Sequence, residues 1–172
     1  LRASFCRLRE MKWLVPASPG CGEGAKRRKP KVNHQPIWGE HMRLCDLLNE
    51  ATVKIGLDSA DKEECFEEMV DILVRANAIS DRTSALQALL VRESRAATGI
   101  GKGIAIPHGK HPAIESITAA VGISRDGIQF DHADGHPVRL VVLLLANANQ
   151  PGPHIWALAE ISRLIHIPGF YT

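Results

Sequence analysis

The sequence predicts an α/β domain, and three observations carry that expectation. Apolar residues recur at helical spacing over 61–77 and again over 81–94. Strand-like apolar runs follow at 117–124 and 138–146. A proline-led helical pattern then opens at Pro151. Helix and strand signals that interleave in this way are the mark of an α/β chain.

Taken in order, the first segment is the exception. Residues 1–41 hold nine Lys and Arg against three Glu, with Pro16, Pro19, Gly20, Gly22, Gly24 and the basic run 26–29. Without sustained apolar periodicity they read as a disordered basic leader. One basic cluster lacking interleaved aromatics is weak support for nucleic-acid binding, and none is expected. Gly39-Glu40, just ahead of Met42, would be encoded by GGN-GAR, which resembles a bacterial ribosome-binding site. One reading of the leader is therefore translated upstream sequence, with the folded domain running over 42–172.

Within the patterned region, 61–77 places Cys65, Phe66, Met69, Val70, Leu73 and Val74 on one helical face, with most of the acids on the other. Asp81 is suited to cap a second helix that reaches about Ser94 and buries Ala85, Leu86, Leu89 and Leu90. Gly99 and Gly101 end that pattern, and Ile104-Ala105-Ile106 reads as a short strand. Ile117, Ala119, Val121 and Ile123 alternate with small or polar residues, as in a strand. Val138 to Ala146 is nearly all apolar and reads as a central strand covered on both faces. Pro151-Gly152-Pro153 then introduces a helix carrying Ile155, Leu158, Ala159, Ile161, Leu164 and Ile165.

Composition narrows the class. The 172 residues are 45% hydrophobic and 23% charged, enough for one sizeable core. The longest apolar run, Leu140–Ala146, falls far short of a membrane-spanning length, and a cytoplasmic location is expected. Four cysteines form no C-x-x-C pair, so neither a disulfide framework nor a structural metal is expected.

The stretch 98–110, TGIGKGIAIPHGK, carries the chemistry. A Walker loop fails because Ala96 and Gly103 stand where it needs glycine and Ser or Thr. A dinucleotide fingerprint fails because neither glycine pair reaches a third glycine, and the strand follows the glycines instead of leading them. What remains is a glycine-rich approach to a short strand ending in Pro107-His108-Gly109. Proline restricts Ile106 to extended conformations, and the flanking glycines let another backbone come close. A neutral imidazole so held is a good phosphoryl acceptor if one nitrogen keeps its lone pair and the other is fixed by a hydrogen bond. The acceptor that would fix it is not identifiable from sequence.

From about Met42 to His166 the chain resembles the fructose/mannitol-type enzyme IIA domain of the bacterial phosphoenolpyruvate-dependent phosphotransferase system, including its nitrogen-regulatory branch. The segments that carry the resemblance are 61–64 (DKEE), 91–93 (VRE), TGIGKGIAIPHGK itself, 127–131 (GIQFD), 134–138 (DGHPV) and His154 with Leu158 and Ala159. The resemblance implies a three-layer α/β/α domain with a mixed β-sheet. It implies phosphorylation of His108, with Arg92 and His154 supporting the phosphoryl group, and no ATP, metal or organic cofactor. Thr98, Gly99, Gly101, Gly103 and Gly109 would form the loop around that group.

The implied donor is phospho-HPr or its nitrogen-branch homologue, and the implied acceptor a cysteine of an enzyme IIB domain. A membrane would be met only through separate transporter subunits. The alternative reading is a regulator whose phosphorylation state changes which enzyme, transporter or kinase it binds. Arg95 competes with Arg92 on residue type alone. His111, His132, His136 and His166 lack an evident ligand geometry and are left out of the site. Two departures from the family stand out: Ala96-Ala97 replaces the usual Gly-Ser, and the pattern breaks after Ile165, so the family's C-terminal helix is expected to be missing.

Overall fold

The computed structural model describes residues 43–131 and 135–170. The leader, His132 and Asp134 therefore lie outside the described residues. Six strands and three α-helices follow one another as β1 (Val53–Ile55), α1 (Lys62–Arg75), α2 (Arg82–Glu93), β2 (Gly99–Gly101), β3 (Ile104–Ala105), β4 (His108–His111), β5 (Thr118–Ile128), β6 (Val138–Asn147) and α3 (Pro151–Ile165). Two 3-10 turns, Leu44–Asp46 and Glu50–Thr52, precede β1.

The sheet is mixed, in the order β1-β5-β6-β3-β2, with β4 also paired to β6. β5 and β6 run antiparallel, whereas β1 is parallel to β5, and β3 and β4 are parallel to β6. Side chains of β6 alternate between two cores, as its unbroken apolar run predicts. Val141, Leu143 and Leu145 join Cys65, Phe66, Met69, Leu73, Ala85 and Leu89 beneath α1 and α2. Leu140, Val142 and Leu144 face the opposite way, toward Leu158, Ile161 and Ala157 of α3 and Leu44 of the first 3-10 turn. This is the expected three-layer α/β/α sandwich.

The first two helices begin at aspartate caps, Asp81 as expected and Asp61 as the structure adds. Asp61 and Asp81 each accept a hydrogen bond from the backbone N–H three residues on, at 2.9 Å. Leu90 departs from expectation: it is 49% exposed, because α2 buries a stripe of Ala85, Ala88 and Leu89 instead. A C-terminal helix is present, α3, which corrects the expectation of a missing one to that extent. Beyond Ile165 the described residues form turns through Phe170.

The sequence reading ends a strand at Pro107-His108-Gly109, but the strand resumes there. β3 and β4 keep one register along β6, with Ile104 beside Leu140 and His108 beside Leu144. Proline has no N–H to give, yet its carbonyl still accepts from Leu144 N at 2.9 Å, so the ladder skips a donor without slipping. His108 thus opens the second half of an interrupted strand. Aligned with Leu144, its side chain falls on the α3 face of the sheet.

Candidate functional site

Three predicted residues converge at the open edge of β4. His108 is half-buried; its Nδ1 lies 2.8 Å from the carbonyl oxygen of Ile106, and its Nε2 lies 2.9 Å from Arg92 Nε. A carbonyl oxygen only accepts, so Nδ1 carries the proton and donates. The guanidinium Nε–H only donates, so Nε2 presents its lone pair. The two contacts select one neutral tautomer, and Ile106 is the acceptor that sequence could not identify. Burial is the main force holding the imidazole below its ordinary pKa, and the Arg92 and Lys110 charges add to it.

Arg92 reaches His108 from the opposite helical layer. It lies in the last turn of α2, and its Nη1 donates to the Ala96 carbonyl at 2.8 Å, which fixes the guanidinium over the strand edge. Gly109 is what lets α2 come so near. A Cβ on Gly109 would meet the carbonyl carbon, Cβ and carbonyl oxygen of Ala88 at 2.8, 2.9 and 2.9 Å. Arg92 is one turn beyond Ala88, so the glycine contact sets the height of the guanidinium above the imidazole.

His154 approaches from the other side, its ring centroid 5.4 Å from that of His108. It lies in the first turn of α3 and is only 5% exposed, with no hydrogen-bond partner for its Nε2. Burial first, then the Lys110, His108 and Arg92 charges, push its pKa down to about 4. The ring is therefore neutral at physiological pH, with a polar atom left over. Pro151 and Pro153 lack N–H groups, so of the first three residues of α3 only Gly152 has an amide to offer.

The glycine-rich stretch is a hairpin. β2 pairs antiparallel with β3, and Gly101 at the end of β2 and Lys102 and Gly103 after it all take positive φ, at 82°, 55° and 73°. Two glycines make such a turn inexpensive. Gly99 lies in β2 opposite Ala105. Thr98 is buried, and its N–H is given to Glu93 Oε2 at 3.1 Å while its carbonyl receives Ile106 N at 3.0 Å. Arg92, His108 and His154 are thus brought together. Thr98 and the glycines before Ile104 build the strap alongside them, and Gly109 packs beneath.

Two residues escaped the sequence reading. Lys110 lies two positions along β4 from His108, hence on the same face, and its charge disfavours protonation of both imidazoles. Strand periodicity carried through Pro107 would have found it. Glu93 follows Arg92 and is buried, a placement that helix periodicity alone did not reveal.

The sequence profile described as "Phosphoenolpyruvate-dependent sugar phosphotransferase system, EIIA 2" matches residues 46–171. Among curated proteins, the chain is 38% identical over 124 residues to the fructose-specific EIIABC component of Bacillus subtilis, covering 72% of this chain and 20% of that one. It is 34% identical over 124 residues to a nitrogen regulatory protein of Bradyrhizobium diazoefficiens, covering 72% of this chain and 80% of the relative. Among solved structures, the nitrogen regulatory protein IIA-Ntr of Neisseria meningitidis superposes with a TM-score of 0.67 at 28% identity, covering 74% of this chain and 89% of that one.

Proposed function

Because the chain belongs to the EIIA 2 family of the phosphoenolpyruvate-dependent sugar phosphotransferase system, we propose that it is a phosphocarrier whose acceptor atom is Nε2 of His108. The observation that carries this reading is the pair of contacts on the imidazole: Nδ1–H to Ile106 O and Arg92 Nε–H to Nε2. They supply a neutral ring with its lone pair on the nitrogen that faces a guanidinium.

The step balances without net proton movement. The Nε2 lone pair forms a bond to phosphorus as the donor's phosphorus–nitrogen bond breaks, and that electron pair returns to the donor imidazole. The proton stays on Nδ1, hydrogen-bonded to the Ile106 carbonyl, throughout. Arg92 rests on the attacking lone pair, so it must turn aside as the donor arrives. Its planar donors are then suited to the equatorial oxygens, where charge is carried in phosphoryl transfer. His154, neutral and with Nε2 unpartnered, is suited to donate to one of those oxygens, which an imidazole protonated on Nε2 supports.

The donor in this reading is phospho-HPr or its nitrogen-branch homologue. The onward acceptor is an enzyme IIB cysteine, whose thiolate attacks the same phosphorus and returns the pair to Nε2. A second reading is favoured by the match to nitrogen regulatory proteins over most of their length. In it the phosphoryl group on His108 alters which target the surface binds. The chain spans 20% of the Bacillus protein, so sugar uptake here would depend on other segments or subunits.

The test is labelling from radioactive phosphoenolpyruvate with enzyme I and HPr. Acid-labile label on the wild type and none on His108→Ala is expected; equal labelling of both would overturn the assignment. His154→Ala should label more slowly while remaining folded. Failure of the labelled protein to pass its group to any IIB domain would select the regulatory reading.

A further inference from the structure

One buried ionic cluster beside the site is unused by the phosphoryl step. The Glu93 carboxylate accepts Thr98 N–H at 3.1 Å through Oε2. Its other oxygen, Oε1, lies 3.7 Å from Lys62 Nζ and has no hydrogen-bond partner. Lys62, the first residue of α1, also pairs with Asp131. A carboxylate taken out of water with a single short hydrogen bond and a more distant ammonium is a costly way to fill space. An apolar side chain would fill it more cheaply, so the acceptor oxygen that takes Thr98 N–H has another use.

The hydrogen bonds around it close a ring. Thr98 gives its N–H to Glu93 and takes Ile106 N–H on its carbonyl at 3.0 Å. The Ile106 carbonyl in turn takes Nδ1–H of His108 at 2.8 Å. Nε2 of the same ring takes Nε–H of Arg92 at 2.9 Å, and Arg92 is the neighbour of Glu93 in α2. Both nitrogens of one imidazole are therefore referred to two adjacent residues at the end of one helix, one directly and one through two backbone units.

We propose that Glu93 is a positioning residue: its buried carboxylate locks the Thr98 strap to the end of α2, so that the Ile106 carbonyl and the Arg92 guanidinium hold His108 from both nitrogens at once. This rests on the reading of His108 as the acceptor. Lys62 is the nearest counter-charge to the buried carboxylate, and Glu93 touches no reacting atom.

The experiment follows exchange of the His108 Nδ1–H and Arg92 Nε–H protons by nitrogen-15 NMR on the unphosphorylated full chain, beside the labelling rate. In Glu93→Ala both protons exchange at least about tenfold faster and labelling slows by a similar factor, the order expected on losing a charge-assisted hydrogen bond. Glu93→Gln keeps an oxygen for Thr98 N–H and restores both readouts to within about threefold of wild type. Glu93→Met fills the same space without an oxygen for Thr98 N–H and should stay as impaired as Ala; rescue by Met, as a purely space-filling residue predicts, overturns the proposal. Unchanged exchange in Glu93→Ala, or a Gln variant as impaired as Ala, overturns the proposal. If Glu93→Ala does not fold, Glu93→Asp, shorter by one methylene, takes its place with the same expected and overturning results. Exchange is read without phosphate, so it decides the role of Glu93 even if the wild type takes no label, an outcome that overturns the phosphocarrier reading instead.

Discussion

Replacing Gly109 by alanine is expected to damage the site through the helix packed on the other side of the sheet. The added Cβ would meet the Ala88 carbonyl carbon at 2.8 Å, whereas ordinary contact begins at 3.4 Å. The helix must therefore retreat by about 0.6 Å, since two of the three clashing atoms are backbone and have no rotamer to change. Overpacking of this kind costs about 1–3 kcal/mol, which for a domain of this size lowers Tm by about 3–10 °C. Carried one turn along α2, the same retreat stretches the 2.9 Å contact between Arg92 and His108 toward roughly 3.5 Å, where a hydrogen bond fades. Labelling of His108 should slow by about tenfold, as is usual when a charged positioning group is misplaced by less than an ångström. Differential scanning calorimetry and the phosphoenolpyruvate assay read the two effects. Ala88→Gly in the same chain should restore only part of the stability, because it removes the Cβ and leaves the carbonyl in place. A Gly109→Ala protein that melts and labels like wild type would refute this account of how Arg92 is placed.

Two further outcomes follow from burial. His154 titrates near 4 in the folded chain and near 6.5 when unfolded, so the unfolded state binds more protons between those values. Stability is then full above pH 6.5 and falls as pH drops toward 4, with His108 acting in the same direction. Urea unfolding at pH 7.5 and 4.5 should differ by about 2–3 kcal/mol from His154 alone, and His154→Leu should remove most of that difference; an unchanged slope would refute it. Burial also pushes the Cys65 thiol up to about 12, whereas Cys45 is exposed. Iodoacetamide on the native protein at pH 8 should alkylate Cys45 and spare Cys65, and peptide mapping that finds both modified would overturn the buried placement.

The layers of the fold were legible because each rests on local periodicity. The stripe of Cys65, Phe66, Met69, Val70 and Leu73 and the unbroken run of β6 both specify burial without reference to anything distant. The short strands were less so. β1 is three residues long and is defined by its register beside β5, with Val53 opposite Val121, a pairing that no local pattern encodes. Leu90 was misplaced because α2 buries a narrow, alanine-rich stripe against β4, and apolar character on a helix says nothing of how close its neighbour comes.

The site divides in the same way. His108, Arg92 and His154 were identified as residues, but their relation depends on a sheet edge that sequence does not display. Pro107 withholds one donor, the strand continues in register, and the edge of β4 stays open for a guanidinium to cross from one helical layer to an imidazole on the other. The glycines then fall into two physical classes. Gly101 and Gly103 supply positive φ to a turn, whereas Gly109 supplies the absence of a side chain under a helix. A substitution at the first class strains a backbone locally; one at the second moves an arginine. That difference is why the alanine scan of this stretch should be read by its effect on His108 and Arg92, and not by stability alone.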